Sequence, residues 1–318
     1  MASTIVAAAT NTDLDTASYF ELAARAARSC LERADVGVDE IGMLVNAGVF
    51  RDNNISEPAV SALIQKRIGL GLEYQPGRVP VFSFDLMNGA TGLLHAITAA
   101  ECFLATGEVE YALLVAGDTH PSMQRYIAGF PYTTGAAALL LGSSPAAGGF
   151  GCLHTSETTG TADPLAWVAL GEVGANGRSA MRVRHSNEDP IELAAAAVRD
   201  CVTEEGLDGD DFAEGRAVLL APAPALGFRA RLAEMLGLTP ESVVGVASAV
   251  GDPYTAAPVH AYLNARDSGV LDTADTVLFL AADDASAACL AYHPQPPAVA
   301  AVRAVTATGY ERLGIGLR

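Results

Sequence analysis

Hydrophobic positions along the chain fall into two kinds of segment. Short continuous apolar runs, such as 43–49 (MLVNAGV) and 111–118 (YALLVAGD), are typical of strands buried on both faces. Between them lie longer segments in which alanine and leucine recur at helical spacing, such as 21–30 (ELAARAARSC). This alternation of strands and helices predicts largely parallel sheets covered by helices, which is an α/β fold.

The second half of the chain repeats the pattern of the first. The helical segment 21–30 (ELAARAARSC) returns as 192–201 (ELAAAAVRDC). Further pairs follow in the same order, namely 62–70 with 231–238, 79–84 with 244–249, 89–97 with 254–262, 111–118 with 276–283, and 135–141 with 286–292. We therefore predict one domain over 1–318, built from two duplicated βαβαβαββ halves at 1–150 and 160–293, with a C-terminal tail at 294–318.

The copies differ in their connections. We expect the first strand of each copy at 4–10 (TIVAAAT) and 167–173 (WVALGEV), with the Gly-, Ser- and Thr-rich residues 142–165 joining the halves. Residues 119–134, which separate the last two strands of the first copy, have almost no counterpart in the second. Such an insertion forms either a lid or interface arm, or a tolerated surface loop, and the sequence leaves both open.

The charge and hydropathy of the chain exclude some classes of function. A net charge of -18 repels phosphate backbones, so no nucleic-acid partner is expected. The charge also disfavours binding of acidic carrier proteins unless a basic patch exists. The candidate residues are Arg178, Arg182, Arg184 and His185, which form either such a patch or, as we favour, a solvated loop. Because no run of eighteen or more apolar residues occurs, we expect no membrane span.

Cysteine usage and the N-terminus indicate a cytoplasmic protein. The five cysteines show no CxxC spacing, and no basic residue precedes the first apolar stretch as it would in a secretion signal. This pattern predicts reduced thiols. The sequence shows no metal-ligand cluster, P-loop or GxGxxG after a strand, so neither a metal nor a cofactor is expected.

Residues 84–92 (FDLMNGATG) carry a resemblance to a known family. They resemble a segment of β-ketoacyl-[acyl-carrier-protein] synthase III-like proteins, which belong to the thiolase superfamily. That segment begins with Phe-Asp and continues with four small or apolar residues, the nucleophilic Cys, one further residue and a Gly. Residues 100–118 and 226–244 are also similar to the family. The resemblance covers most of 18–292 and implies the thiolase fold, with the halves packed as α-β-α-β-α layers.

The resemblance places the family's catalytic residues on side chains that lack their chemistry. The Cys falls on Ala90, the His on Pro222 and the Asn on Asp252, while the glycine-rich loop beside the oxyanion hole falls on 283–285, which begins with Asp283. Alanine has no nucleophile, proline has no side-chain donor, and a carboxylate repels a developing enolate or oxyanion. Standard Cys-His-Asn chemistry is therefore expected to be absent, and no catalytic residue is assigned.

Neighbouring residues could replace the lost chemistry. Thr91 is either a substitute nucleophile or, as we favour, a hydroxyl that satisfies backbone N–H groups at a helix start. Asn88 is either a helix cap or a residue that lines the pocket in which the family binds its substrate. The other residues that could line this pocket are Ala90, Thr91, Pro222, Asp252 and Asp283.

The remaining cysteines and histidines are mostly explained by the repeat. Cys30 and Cys201 occupy equivalent positions in the two copies, as do His95 and His260, and Cys289 lies among apolar neighbours. We interpret these five residues as structural. Cys102 lies about three helical turns beyond Ala90 and is too far to replace the nucleophile. Cys152 and His154 have the spacing of one strand face and are either a catalytic pair or ordinary residues, of which we favour the second.

These expectations favour a degenerate partner subunit of an active ketosynthase in fatty-acid or polyketide-type acyl metabolism. The resemblance implies dimers formed by pairing the central sheets, hence a homodimer or a heterodimer with a synthase III-like subunit, and an acyl thioester of coenzyme A or a carrier protein as possible ligand. The alternatives are a divergent acyltransferase, hydrolase or cyclase with a remodelled pocket, and an acyl- or polyketide-binding protein.

Overall fold

Two five-stranded sheets form the frame of the molecule. The computed structural model describes residues 2–71, 80–144, 147–159, 166–169, 171, 181–184, 189–247 and 249–294. The first sheet contains β1 (Ala2–Asn11), β2 (Ile41–Asn46), β3 (Phe82–Asp85), β4 (Tyr111–Asp118) and β5 (Gly135–Ser144). The second contains β6 (Gly149–Glu157), β9 (Ala217–Ala221), β10 (Val243–Gly245), β11 (Thr276–Ala282) and β12 (Ser286–His293), while β7 (Ala166–Val168) and β8 (Met181–Val183) form a separate pair.

Helices cover both sheets and fill the space between them. The described helices are α1 (Tyr19–Ala34), α2 (Val60–Ile68), α3 (Gly92–Thr106), α4 (Ile191–Glu205), α5 (Gly209–Ala213), α6 (Phe228–Leu236) and α7 (Ala257–Asp267). Helices α1 and α2 pack on one face of the first sheet, and α4 and α6 pack on one face of the second. The other faces share a single core with α3 and α7, so the layers run α-β-α-β-α, as the sequence predicted.

The two sheets have the same strand order. The first runs β1-β5-β4-β2-β3 and the second β6-β12-β11-β9-β10, with antiparallel and parallel pairings at equivalent places. The prediction of the fold class is confirmed. The internal duplication stays a prediction, which the matching strand orders support.

The strand equivalent to β1 is not where the sequence analysis placed it. We expected it at 167–173, but β6 (Gly149–Glu157) pairs antiparallel with β12 as β1 pairs with β5. Residues 166–168 instead belong to the separate two-stranded pair. The expected connection at 142–165 therefore contains the end of β5 and all of β6, because the structural repeat begins earlier than its apolar pattern indicates.

Glycine ends several of the described helices. Gly69 and Gly237 end α2 and α6 in the left-handed conformation, and each N–H bonds back to the last turn of its helix. Within the described ranges, no helix has both the length and the apolar character needed to traverse a bilayer. All of the predicted tail except Pro294 lies outside the described residues.

Candidate functional site

Ala90 is buried in the loop that leads from β3 into α3. Its backbone N–H donates a hydrogen bond to Oδ2 of Asp283, with an N···O distance of 3.1 Å. The preceding Gly89 has a φ of +53°, and a Cβ there would lie 2.5 Å from the same carboxylate oxygen. The turn therefore needs glycine both for its backbone conformation and for the close approach of Asp283.

The Asp283 carboxylate is fully engaged within the chain. Besides the Ala90 N–H, Oδ2 accepts from the Tyr254 hydroxyl at 3.3 Å. Oδ1 accepts from the N–H groups of Ala285 at 3.1 Å and Ser286 at 3.0 Å in the turn between β11 and β12. A backbone N–H near a helix start is a natural donor to an anion, and here a side chain of the protein itself occupies it.

An aromatic stack stands against this carboxylate. The rings of Tyr254 and Tyr132 stack with centroids 3.9 Å apart, and Phe50 stacks on them at 6.0 and 5.6 Å. Phe130 meets Phe50 and Tyr132 edge-on. Burial, together with Tyr132 and Asp283, raises the pKa of Tyr254 well above its usual value, so this hydroxyl stays protonated and acts as a donor.

Asp252 lies at the other side of Tyr254. Its Oδ1 accepts from the Tyr254 N–H at 2.9 Å, and its carbonyl accepts from the Thr133 N–H at 2.7 Å. Burial raises the pKa of Asp252 to about 6, and the charge of Asp118 adds to the effect. With Tyr132 and residues 223–230, Asp252 lines a groove with a volume of about 720 Å³. Asp252 is thus the predicted site residue that reaches an open surface cavity.

The Thr91 and Asn88 side chains do not cap α3. The Thr91 hydroxyl donates to the Asn88 carbonyl at 2.9 Å and accepts from the Asn88 amide at 3.1 Å, so neither side chain accepts from the helix's N–H groups. The capping expectation was wrong because the two side chains bond to each other and to the loop. Thr91 is buried and Asn88 is exposed, and no described base contacts the Thr91 hydroxyl.

The other predicted site residues are less connected. Pro222 is buried directly after β9, one residue before the groove lining begins. Asp284 is buried and its Oδ2 lies 3.4 Å from the Arg184 guanidinium. The structure therefore brings Ala90 and Asp283 together, joins Asp252 to them through Tyr254, and gives Pro222 no polar role.

Cys152 and His154 both lie on β6, and their spacing is compatible with one face of a strand. A hydrogen bond to Glu204, the charge of Glu204 and burial raise the pKa of Cys152, and Nε2 of His154 lies 3.2 Å from Oε2 of Glu204. A raised thiol pKa opposes nucleophilic chemistry, which favours the structural interpretation. Across the described ranges, no group of three or more His, Cys, Asp or Glu side chains has an arrangement that could hold a metal ion.

The other cysteines and the basic patch have simpler surroundings. Cys30, Cys201 and Cys289 are buried, as predicted, and Cys102 is exposed. Arg178 and His185 lie outside the described residues, so the proposed patch stays untested.

Tyr254 links the site together and was not among the predicted site residues. The repeat pairs 254–262 with 89–97, which sets Tyr254 opposite Gly89. Both residues have left-handed backbones, with φ of +47° at Tyr254 and +53° at Gly89. A tyrosine at a position that demands glycine in the other copy was therefore the available signal, since left-handed non-glycine residues concentrate at functional or strained sites.

Comparisons with known proteins agree with this architecture. No protein-family model matches the chain. The acyl-CoA:acyl-CoA alkyltransferase of Xanthomonas campestris is 30% identical over 99 residues, which are 31% of this chain and 27% of that protein. A β-ketoacyl-[acyl-carrier-protein] synthase III of Sphingopyxis alaskensis is 27% identical over 200 residues, 60% of this chain and 58% of the relative. The sequence matches thus span from about a quarter to just over half of these relatives.

Solved structures extend the likeness over nearly the whole chain. The 3-oxoacyl-(acyl carrier protein) synthase III, FabH, of Pseudomonas aeruginosa has a TM-score of 0.74 and 18% identity, covering 93% of this chain and 99% of that chain. Xanthomonas campestris OleA with bound lauric acid and lauroyl-CoA has a TM-score of 0.70 and 17% identity, covering 92% and 99%. The protein therefore has the thiolase fold. Its homologues and structural neighbours are synthase III and OleA proteins of the thiolase superfamily.

Proposed function

We propose that this chain is a non-catalytic subunit that pairs with an active synthase III-like ketosynthase in acyl metabolism. The observation that carries the proposal is the hydrogen bond from the Ala90 N–H to Asp283. The resemblance of 84–92 to synthase III-like proteins implies that Ala90 stands in the place of the nucleophile. Both the sulfur and the free anion-binding N–H that acyl transfer needs are then missing from this position.

The chemistry of the surroundings supports loss of catalysis. Acyl transfer develops negative charge on the carbonyl oxygen, and preorganised N–H donors commonly supply factors of about 10²–10³ in kcat. Here the Asp283 carboxylate already accepts that N–H, and its charge opposes a second anion. Ala90 is only 3% exposed, and the hydroxyl of Tyr254 already bonds to the same carboxylate. A substrate carbonyl would have to displace both groups.

The edge of the first sheet offers the surface for a partner. Strand β3, which leads directly to the Ala90 loop, pairs with β2 on one side, and no strand within the described ranges pairs with its other edge. Phe82 on this strand is 51% exposed, and its ring contacts Phe84 and Phe103. An exposed edge strand with an aromatic cluster is suited to sheet pairing with a second subunit, whether the same chain or a synthase III-like one.

Co-expression tests this role. The chain is produced with the synthase III-like protein encoded nearest to it, and the complex is isolated through a tag on one subunit. We expect co-purification, with loss of the partner in Phe82→Lys but not in Leu226→Lys, a matched change at a fully exposed leucine far from this edge in sequence. Absence of any complex and of any effect on the partner's condensing activity would rule the role out.

A divergent hydrolase is the second candidate, favoured by Asp252. Its raised pKa of about 6 and its place on the groove of about 720 Å³ suit a general base. Turnover of acyl thioesters by the chain alone, lost in Asp252→Asn and retained in Ala90→Ser, would support this candidate. Absence of turnover over a pH range around 6 would exclude it.

A further inference from the structure

A second groove lies on the first half of the molecule, apart from the candidate site. It has a volume of about 560 Å³, within the range of small-molecule pockets. Its apolar walls come from α1, the segment after β2, α2 and the insertion, through Phe20, Ile55, Leu63 and Met123. Lys66 and Arg67, from the last turn of α2, line the same groove.

The insertion at 119–134 builds one wall of this groove. The Pro121 carbonyl accepts the Asn53 N–H at 2.9 Å, which joins the insertion to the segment after β2. Arg125 donates to the carbonyls of Thr16 at 2.5 Å and Thr12 at 3.1 Å, which ties it to the entrance of α1. Met123 is thereby held over the groove. Since the second half has almost no insertion, the groove is a feature of the first half alone.

The charges around the groove are unusual for so acidic a chain. Lys66 is the only lysine among 318 residues with a net charge of -18. Its ammonium group forms no ion pair or hydrogen bond with the part of the chain that the structure describes. Arg67 forms a long ion pair, 3.9 Å to Glu21, and its guanidinium lies 5.8 Å from the centre of the Phe20 ring. An ammonium group that has no partner among the described residues and lies beside apolar walls is complementary to an anion that carries an apolar chain.

The acidic residue of the groove does not cancel this charge. The Asp52 carboxylate accepts from the Ser18 hydroxyl and, at 2.6 Å, from the Tyr19 N–H at the start of α1. Its charge is therefore compensated by the helix N-terminus. Burial raises the pKa of Asp52, and the hydrogen bonds from Ser18 and Tyr19 oppose this shift.

We propose that this groove binds a fatty-acid anion, with the carboxylate on Lys66 and the alkyl chain along Phe20, Leu63 and Met123. The apolar walls favour an alkyl chain over a peptide segment, because a peptide backbone would leave hydrogen-bonding groups unpaired there. The inference is independent of the partner role, since the groove shares no residue with the Ala90 loop or with β3.

The single lysine allows a direct test. Reductive methylation with ¹³C-formaldehyde keeps the positive charge and gives one side-chain dimethylammonium signal, which Lys66→Arg removes and thereby assigns. Titration with sodium dodecanoate below its micelle concentration is expected to shift this signal saturably. Calorimetry on the unlabelled protein is expected to show affinity rising about fourfold per added CH₂ from octanoate to dodecanoate. No shift and no binding heat would overturn the proposal.

Matched variants separate a specific site from general charge. Lys66→Glu is expected to weaken dodecanoate binding about tenfold, and Lys66→Arg to preserve it. Arg229→Glu is the control, because Arg229 lines the other groove and has no acidic partner among the described residues. Equal weakening in Arg229→Glu, or binding to phosphatidylglycerol vesicles without binding of free dodecanoate, would contradict the proposal, the latter in favour of a lipid surface.

Discussion

The Thr255 hydroxyl donates a hydrogen bond of 2.6 Å to the fully buried carboxylate of Asp118. The same hydroxyl accepts the Gly117 N–H at 2.9 Å. The other oxygen of Asp118 accepts the N–H groups of Val49 and Phe50. Asp118 thereby joins the end of β4 to the segment after β2 and to the approach to α7, and so links the two halves beside the candidate site.

Replacing Thr255 should therefore destabilise the fold. Thr255→Val keeps the shape but leaves Asp118 with one donor fewer and the Gly117 N–H without its acceptor, which should cost about 3 kcal/mol in the free energy of unfolding. Thr255→Ser, which keeps the hydroxyl, is the control and should lose far less. Chemical denaturation measures both, and equal losses in the two variants would show that the hydroxyl is not what stabilises this junction.

The buried imidazole of His260 should make stability depend on pH. Its Nε2 has no hydrogen-bond partner among the described residues, and burial lowers its pKa from 6.5 to about 4. Below pH 6.5 this imidazole is protonated in the unfolded chain and stays neutral in the folded chain. The free energy of unfolding therefore falls by about 3 kcal/mol as the pH falls to about 4.

His260→Leu should remove this contribution. Asp118 and Asp252 act in the opposite direction, because their pKa values, raised to about 6, let the folded chain bind protons first between about pH 4 and 6. The informative quantity is therefore the difference between the variant and the parent chain across this window. A difference that does not change with pH would refute the role assigned to His260.

Asp283 should suppress the reactivity of a cysteine introduced at position 90. In Ala90→Cys, the nearby carboxylate disfavours the thiolate and raises its pKa. Adding Asp283→Asn removes the negative charge, so the pH profile of alkylation at position 90 should move down by about one unit or more. Peptide mapping separates this site from the exposed native Cys102 and Cys152. Identical profiles in the two variants would mean that Asp283 does not control the electrostatics of this position.

Most of the fold could be predicted because its apolar periods are strong and repeat. The predicted run 111–118 is β4 residue for residue, and 135–141 and 286–292 fall within β5 and β12. Strand β6 was missed because its sequence, GFGCLHTSE, mixes glycine and polar residues and lacks a continuous apolar run. The position of β6 depends on its pairing with β12, and the local sequence does not predict that pairing.

The candidate site was predictable only in part. The resemblance to synthase III-like proteins pointed to Ala90 through FDLMNGATG and to Asp283 through the family's glycine-rich loop. The contact between them spans 193 residues and depends on how the two halves pack. The stacking of Tyr254 on Tyr132 likewise joins the α7 approach to an insertion whose path no local pattern specifies. The sequence therefore predicted the chemical character of the site residues, but it did not predict which of them come into contact.

The non-catalytic role is tested most directly by the intact mass of each subunit after the complex with the synthase III-like partner is incubated with an acyl thioester. We expect acyl groups on the partner alone, with this chain unchanged in mass. A stable acyl adduct on this chain, at any residue of the Ala90 loop, would contradict it.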